Sequence, residues 1–448
     1  MDSWWVKLLP TVLRHRFEGR ISAQRVMTNA FWLSSDHVYR LAISVVVSVW
    51  MMRYLGPQQF GQISFALAFV ALFSGFSNLG LDGVIVRDLV KTPHAVDDIL
   101  GSAWILKFVG SGIALLLATA AISWLRPDDT LGMWLVFLSA GAFLFQSLDV
   151  IDMWFRSSLR SRLSVIPKTI AVTVAALGKS GLILAGAPLI AFAWMGLAEA
   201  MLGGLALLAM FIWLGGNLRT WRIQADRVRA LTREGLPLAL SSMVVILYMR
   251  IDQVMLGEML NDKAVGMYTA AMRISEIFYF IPNVLVMSLA PALVQARESG
   301  ESVYLARVNQ MFSSIAIAAI LIAIPMSMLA GPLIALILGP DFISAAPVLQ
   351  VHIWALLFVA LGIASAQYLL LEGQNNISLQ RTAMGAVVNV GLNLLWIPRY
   401  GIIGAAWASL IAYGVATFFL FQNVVSRRCL YLMLRSLIWP RAVAVLWR

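Results

Sequence analysis

A chain of 448 residues that is 60% hydrophobic and 12% charged is too apolar to clothe a soluble domain, where about a quarter of residues carry charge. A soluble enzyme, a disulfide-stapled secreted protein and a disordered scaffold are excluded. So is an outer-membrane barrel, because the apolar runs are long and solid rather than short and alternating. The net charge of +11 would suggest nucleic acid in a soluble chain; here it is a topology signal, and no nucleic acid is expected as a partner.

In chain order, residues 1–28 come first. Trp4, Trp5, Val6, Leu8 and Leu9 beside Lys7, Arg14 and Arg16 predict an amphipathic cytoplasmic segment in the membrane interface, not a cleavable signal peptide. Apolar runs then predict twelve transmembrane helices near 30–52, 62–81, 100–123, 131–153, 167–186, 189–214, 236–257, 267–293, 310–334, 347–371, 381–397 and 402–424. At about 20 residues per crossing, twelve spans take up roughly 240–260 residues and leave short loops. The expected fold class is an all-α polytopic membrane protein of two six-helix bundles, 29–214 and 236–425. A cytoplasmic linker (215–235) joins them, and a basic cytoplasmic tail (426–448) follows. Alternating loops place 24 of the 33 Lys and Arg residues on the side of the N-terminus. Four (Arg53, Arg126, Lys263 and Arg399) fall on the other side, and five (Arg40, Lys107, Lys179, Arg250 and Arg273) lie within spans. This asymmetry predicts that both termini are cytoplasmic.

The two halves resemble each other. Leu55-Gly56-Pro57-Gln58-Gln59-Phe60-Gly61 follows the first span and Leu260-Asn261-Asp262-Lys263-Ala264-Val265-Gly266 follows the seventh. Because six is even, such repeats enter the membrane from the same side and are parallel, an architecture that suits a transporter.

An ionisable group at mid-helix costs about 2.5–3.5 kcal/mol on insertion scales, so each needs a partner, water or a route to the interface. Asp36, Arg40, Ser44 and Ser48 form a stripe at four-residue spacing, read as a cavity wall; the alternative is an Asp36–Arg40 pair that neutralises itself. Lys168 snorkels from the cytoplasmic end of the fifth span, whereas Lys179 lies too deep to do so. Arg273 and Glu276 share a side of the eighth span, either lining a cavity or pairing at i to i+3, and Pro282 is expected to kink that helix. Arg250 and Asp252 lie roughly opposite each other on the seventh span, and the sequence leaves open which faces a cavity. Glu199 is a deep acid of the sixth span. Asp152–Arg156 reads as an interfacial ion pair, and Asn389 and Asn393 as interhelical glue. Cations from both halves (Arg40, Lys179, Arg250, Arg273) imply an anionic cargo, most simply a phosphate or diphosphate.

Catalytic chemistry is sparse. His15, His37, His94 and His352 stand at no metal-ligand spacing, no metal site is expected, and no Walker-type phosphate loop occurs. Cys429 is the only cysteine, so no internal disulfide can form.

Three stretches carry a family resemblance. They are Asn29–Leu33 with Arg53–Gly61; Glu234–Pro237, Ile251–Gly257, Val265–Ala271 and Ile281-Pro282; and Asn389–Asn393, Ile397–Gly401 and Gly404–Ala406. In order and spacing the chain resembles the Wzx-type polysaccharide flippases of the MOP exporter superfamily. The resemblance implies a MATE-like fold and a bacterial cytoplasmic (inner) membrane location. It also implies an undecaprenyl-diphosphate-linked oligosaccharide as cargo, flipped by alternating access for polysaccharide biosynthesis, with a polysaccharide polymerase and chain-length regulator as partners. Arg40, Lys179, Arg250 and Arg273 match by type and depth the basic residues that hold such a cargo. A proton or Na+ would drive the return through Asp36, Asp252 or Glu276. The alternative is a MATE-type cation-coupled small-molecule exporter, and a further one a scaffold of a polysaccharide-assembly complex. No enzymatic activity is expected.

Overall fold

The computed structural model describes residues 21–438, so most of the N-terminal amphipathic segment and the end of the basic tail lie outside the described residues. Every regular element among them is helical. In order these are α1 (Ile21–Ala71), α2 (Ser74–Asn78), α3 (Asp82–Lys91), α4 (Val96–Leu125), α5 (Thr130–Gln146), α6 (Val150–Ser157), α7 (Arg162–Leu184), α8 (Leu189–Trp213) and α9 (Ala225–Met259). Then come α10 (Asp262–Glu276), α11 (Phe280–Glu298), α12 (Glu301–Met328), α13 (Ala330–Leu338), α14 (Ala346–His352), α15 (Ala355–Leu371), α16 (Asn375–Phe418) and α17 (Val424–Ile438).

Among the described residues nine helices are long and apolar enough to cross a membrane, or ten if the bent pair ending in α15 is one span. Two of them contain a break where the sequence separates two spans. In α1 it is Gly56, at φ 65° and ψ 174°. Pro57 disfavours helical backbone in the residue before it, and only glycine reaches this left-handed value without strain. In α16 it is Gly401, at φ 60° and ψ −138°, three residues after Pro398. Twelve therefore stays the sequence's count, with Gly56 and Gly401 at the boundaries on which it depends.

Several expected spans differ in detail. The second, expected over 62–81, stays helical only to Ala71; the chain then turns through α2 and the left-handed Leu79 and Gly80. The eighth is interrupted at Ile277–Tyr279 by a 3₁₀ turn. That position fits Pro282, which removes a donor and crowds the carbonyl of residue 278. The segment read as linker holds a 3₁₀ turn at Leu218–Thr220 and becomes helical as α9 from Ala225.

The chain forms two compact units. The first comprises 21–51 and Phe73–Met243, the second Met52–Leu72 and 244–438. The contiguous bundles 29–214 and 236–425 remain the reading of the repeat, whereas packing groups residues 52–72 with the later half of the chain. The first unit has a core of Leu81, Ile85, Ile99, Val150, Phe155 and Phe211. In the second, Val308, Phe312, Leu356, Tyr368, Cys429 and Met433 lie in one buried cluster. Leu116, Trp124, Leu177, Leu184, Trp213, Leu321 and Leu336 are widely exposed, as lipid-facing side chains are and as a soluble surface would not tolerate.

Within the second unit, the arm of α1 after Gly56 packs on α10. The contact sits at Gly61 and Gly266, where the backbones approach too closely for a side chain on either residue. These glycines end the two stretches that the sequence aligns as repeats. Arg53 donates to the carbonyls of Leu336 and Ile337, satisfying acceptors left open at the C-terminus of α13.

Candidate substrate and ion sites

In the first unit the polar stripe of α1 turns toward α7. Arg40 Nε donates to Asp36 Oδ1 at 2.9 Å, and Thr169 Oγ1 donates to the same oxygen at 2.9 Å. Arg40 Nη2 is buried and has no hydrogen-bond partner. The self-neutralising pair is therefore formed, and it leaves one donor nitrogen of the guanidinium unpaired. Lys179 donates to Glu199 at 2.7 Å, bridging α7 and α8, with both side chains partly exposed.

Nearer the ends of the helices, Asp152 accepts from Arg156 at 2.7 Å and Lys168 at 2.8 Å, and also from Ser164; Lys168 contacts Asp149 at 2.7 Å. Lys168 thus ties α7 to the end of α5–α6 instead of simply snorkelling. Lys107, only 2% exposed, pairs with Asp82 at 3.0 Å.

In the second unit Asp252 and Arg250 of α9 have different surroundings. Asp252 is 2% exposed and accepts from Tyr268 Oη, from Ser409 Oγ at 3.1 Å and from the Gln253 amide at 2.8 Å. Asn389 Nδ2 donates to Ser409 at 3.3 Å and Asn393 Nδ2 to Asn389 Oδ1 at 3.0 Å, leaving Asn393 Oδ1 without a partner. Asp252 has no salt-bridge partner among the described residues. Arg250, on the other side of α9, is partly exposed and lies 3.7 Å from Glu276. Glu276 thus has Arg250 beside it as well as Arg273 one turn before it, and Arg273 also lies over the Phe60 ring at 5.5 Å, a cation–π distance. Glu276 Oε1 is buried without a hydrogen-bond partner.

Charge-bearing positions were legible in the sequence, but three features of this unit were not. Tyr268 of the next helix and Ser409, 157 residues away, complete the Asp252 network. His352 is buried, shares a 2.6 Å hydrogen bond between Nδ1 and Ser275 Oγ, and keeps Nε2 unpaired. Arg381, counted among loop charges, is 6% exposed and donates to Ser365 Oγ at 2.6 Å and the Gly362 carbonyl at 2.8 Å, clamping α16 to α15. Only the Asn389–Asn393 spacing hinted at any of these. No group of three or more His, Cys, Asp or Glu side chains among the described residues is placed to hold a metal ion.

The family model described as "Polysaccharide biosynthesis protein" matches residues 26–297, well over half of the chain. The chain belongs to this family. Its membership bears out the resemblance carried by the glycine and proline motifs. A segment of 170 residues is 28% identical to the probable flippase AglR of Haloferax volcanii, spanning 37% of this chain and 35% of that protein. Another of 98 residues is 32% identical to the uncharacterized membrane protein MJ1068 of Methanocaldococcus jannaschii, spanning 22% of this chain and 19% of that one. Among solved structures, the family member superposes on the lipid II flippase MurJ in an inward closed conformation with a TM-score of 0.69 and 12% identity, covering 94% of this chain and 93% of that one. It also superposes on an inward-facing multidrug resistance MATE family transporter of the MOP superfamily, with a TM-score of 0.64 and 15% identity, covering 89% and 95%. The fold is therefore that of the MOP transporters, as the sequence led us to expect.

Proposed function

We propose that this protein flips a polyprenyl-diphosphate-linked oligosaccharide, on an undecaprenyl carrier, by alternating access across the bacterial cytoplasmic membrane. The observation that carries this reading is the persistence of partly exposed, mid-helix cations in each unit of a polysaccharide-biosynthesis protein. These are Arg40 and Lys179 in the first unit and Arg250 and Arg273 in the second. Guanidinium forks bind diphosphate oxygens bidentately, and the unpaired Nη2 of Arg40 offers one donor. Both termini would be cytoplasmic, and a polymerase and chain-length regulator would take over the exported unit. No catalytic step is assigned to the chain.

Asp252 is the preferred coupling residue. A buried carboxylate without a counter-cation is costly unless it takes up a proton or a metal cation. Asp36 and Glu276 already lie against arginines and are weaker candidates. The second reading, a MATE-type small-molecule exporter, draws support from the acid partners of Arg40, Lys179 and Arg250, which lower the net positive charge along these helices.

Charge reversal separates the two. Arg40→Glu and Arg273→Glu, each with membrane abundance measured, should abolish polymer export in the producing cell. A small-molecule exporter would change its resistance profile with polymer unaffected, and a scaffold would tolerate both substitutions.

A further inference from the structure

The last described helix, α17, has two faces. Ser426, Cys429, Leu432, Met433 and Ser436 are buried, whereas Val424, Arg427, Arg428, Tyr431, Leu434 and Arg435 point outward. Three- and four-residue spacing thus sets one stripe against the protein and leaves the other to mix guanidinium groups with large apolar side chains. That outer mixture is what a helix lying in the plane of the membrane interface presents.

Its buried stripe packs on the start of α12. Between the two helices runs a groove of about 730 Å³, lined among others by Arg307 and Asn309 of α12 and by Arg428, Tyr431, Leu432 and Arg435 of α17. Arg307 donates to Gln310 and Arg428 to Glu301, each using few of the five N–H donors a guanidinium carries. Arg435 makes no hydrogen bond or ion pair among the described residues. Asn309 is only 7% exposed, and its Oδ1 has no partner.

We propose that this groove binds an acidic phospholipid whose head group carries a hydroxyl donor, of the phosphatidylglycerol type. The three arginines supply forks for the phosphate diester. Asn309 Oδ1, an acceptor, takes a hydrogen bond from a head-group hydroxyl. The acyl chains leave along Tyr431 and Leu432 toward the hydrocarbon. A phosphatidylcholine head group offers neither the net charge nor the donor. The proposed site lies within the second unit and does not depend on the cargo reading.

Native mass spectrometry of the full chain, released from phosphatidylcholine nanodiscs with or without phosphatidylglycerol, tests this. The wild type should retain phosphatidylglycerol in preference to phosphatidylcholine. Arg307→Gln and Arg435→Gln should each lower that retention about five-fold, the effect of one basic side chain near an anionic membrane. Asn309→Leu should erase the preference for phosphatidylglycerol over phosphatidic acid, which lacks the glycerol hydroxyls. Protection of Cys429 from maleimide reports that α17 stays seated. If Arg435→Gln unseats it, Arg307→Gln on α12 carries the test alone. Equal retention of phosphatidylcholine or phosphatidylethanolamine, displacement by soluble glycerol phosphate, or unchanged retention in the arginine variants would overturn the proposal.

Discussion

Replacing Gly61 by alanine probes a helix crossing of the second unit that leaves no room for a Cβ. The new Cβ would fall 1.7 Å from the carbonyl oxygen of Asp262, 2.6 Å from its carbon and 2.9 Å from the amide nitrogen of Gly266. All three are backbone atoms, so no side chain can rotate aside. Reaching ordinary contact at 3.4 Å requires α10 and the second arm of α1 to separate by about 1.7 Å. Overpacking of well-packed interiors typically costs about 1–3 kcal/mol; because two helices must move as bodies, the upper end or more is expected. The reciprocal change, Gly266→Ala, puts a Cβ 2.0 Å from the Pro57 carbonyl oxygen and should cost a similar amount. Both changes force open the same crossing, so the double variant should lose clearly less than the sum of the singles. Thermal unfolding of detergent-purified protein measures this, with Gly112→Ala as control because its Cβ meets nothing within 4 Å. The control should be neutral or stabilising through helix propensity, worth up to about 1 kcal/mol. A Gly61→Ala protein as stable as the wild type would refute the reasoning.

Three further expectations follow from the sites. Asp252→Asn preserves shape while removing an uncompensated charge, so stability should hold or rise while ion-driven polymer export is lost. Unchanged export would remove Asp252 from coupling. Burial pushes the Cys429 thiol up to about 12, offset only in part by Arg381; because the thiolate is the reactive form, native protein at neutral pH should resist maleimide and unfolded protein should label promptly. Labelling of native protein at the rate of an exposed thiol would contradict the packing of α17. Exchanging the partners as Lys179→Glu with Glu199→Lys should restore the membrane abundance lost in either single variant, without restoring export. Full recovery of export would make the pair purely structural.

The sequence announced its breaks more clearly than its partnerships. Gly56-Pro57 is legible because proline restricts the residue before it and glycine alone accepts the resulting backbone. The 3₁₀ turn ahead of Pro282 follows from the same chemistry. By contrast, α3 reads as a cytoplasmic loop, because ten residues from Asp82 to Lys91 with mixed polarity resemble one until tertiary packing selects a helix. The buried charges were visible, since each violates the apolar pattern of its span. Their partners were not: Lys179 meets Glu199 twenty residues away, and Asp252 meets Ser409 across 157. Such pairings depend on helix crossings that no local periodicity encodes. Arg381 misled for a related reason, since its place at a span end made exposure the default and only the α15–α16 contact buries it.

The exchange of residues 52–72 into the later compact unit bears on how this chain can be divided. A gene cut in the irregular stretch before Ala225 would yield one fragment holding an arm whose packing surface lies on the other. The second fragment would present α10 with its glycine crossing vacant and an apolar flank bared. Co-production of both pieces, rather than either alone, is the minimum for a folded product.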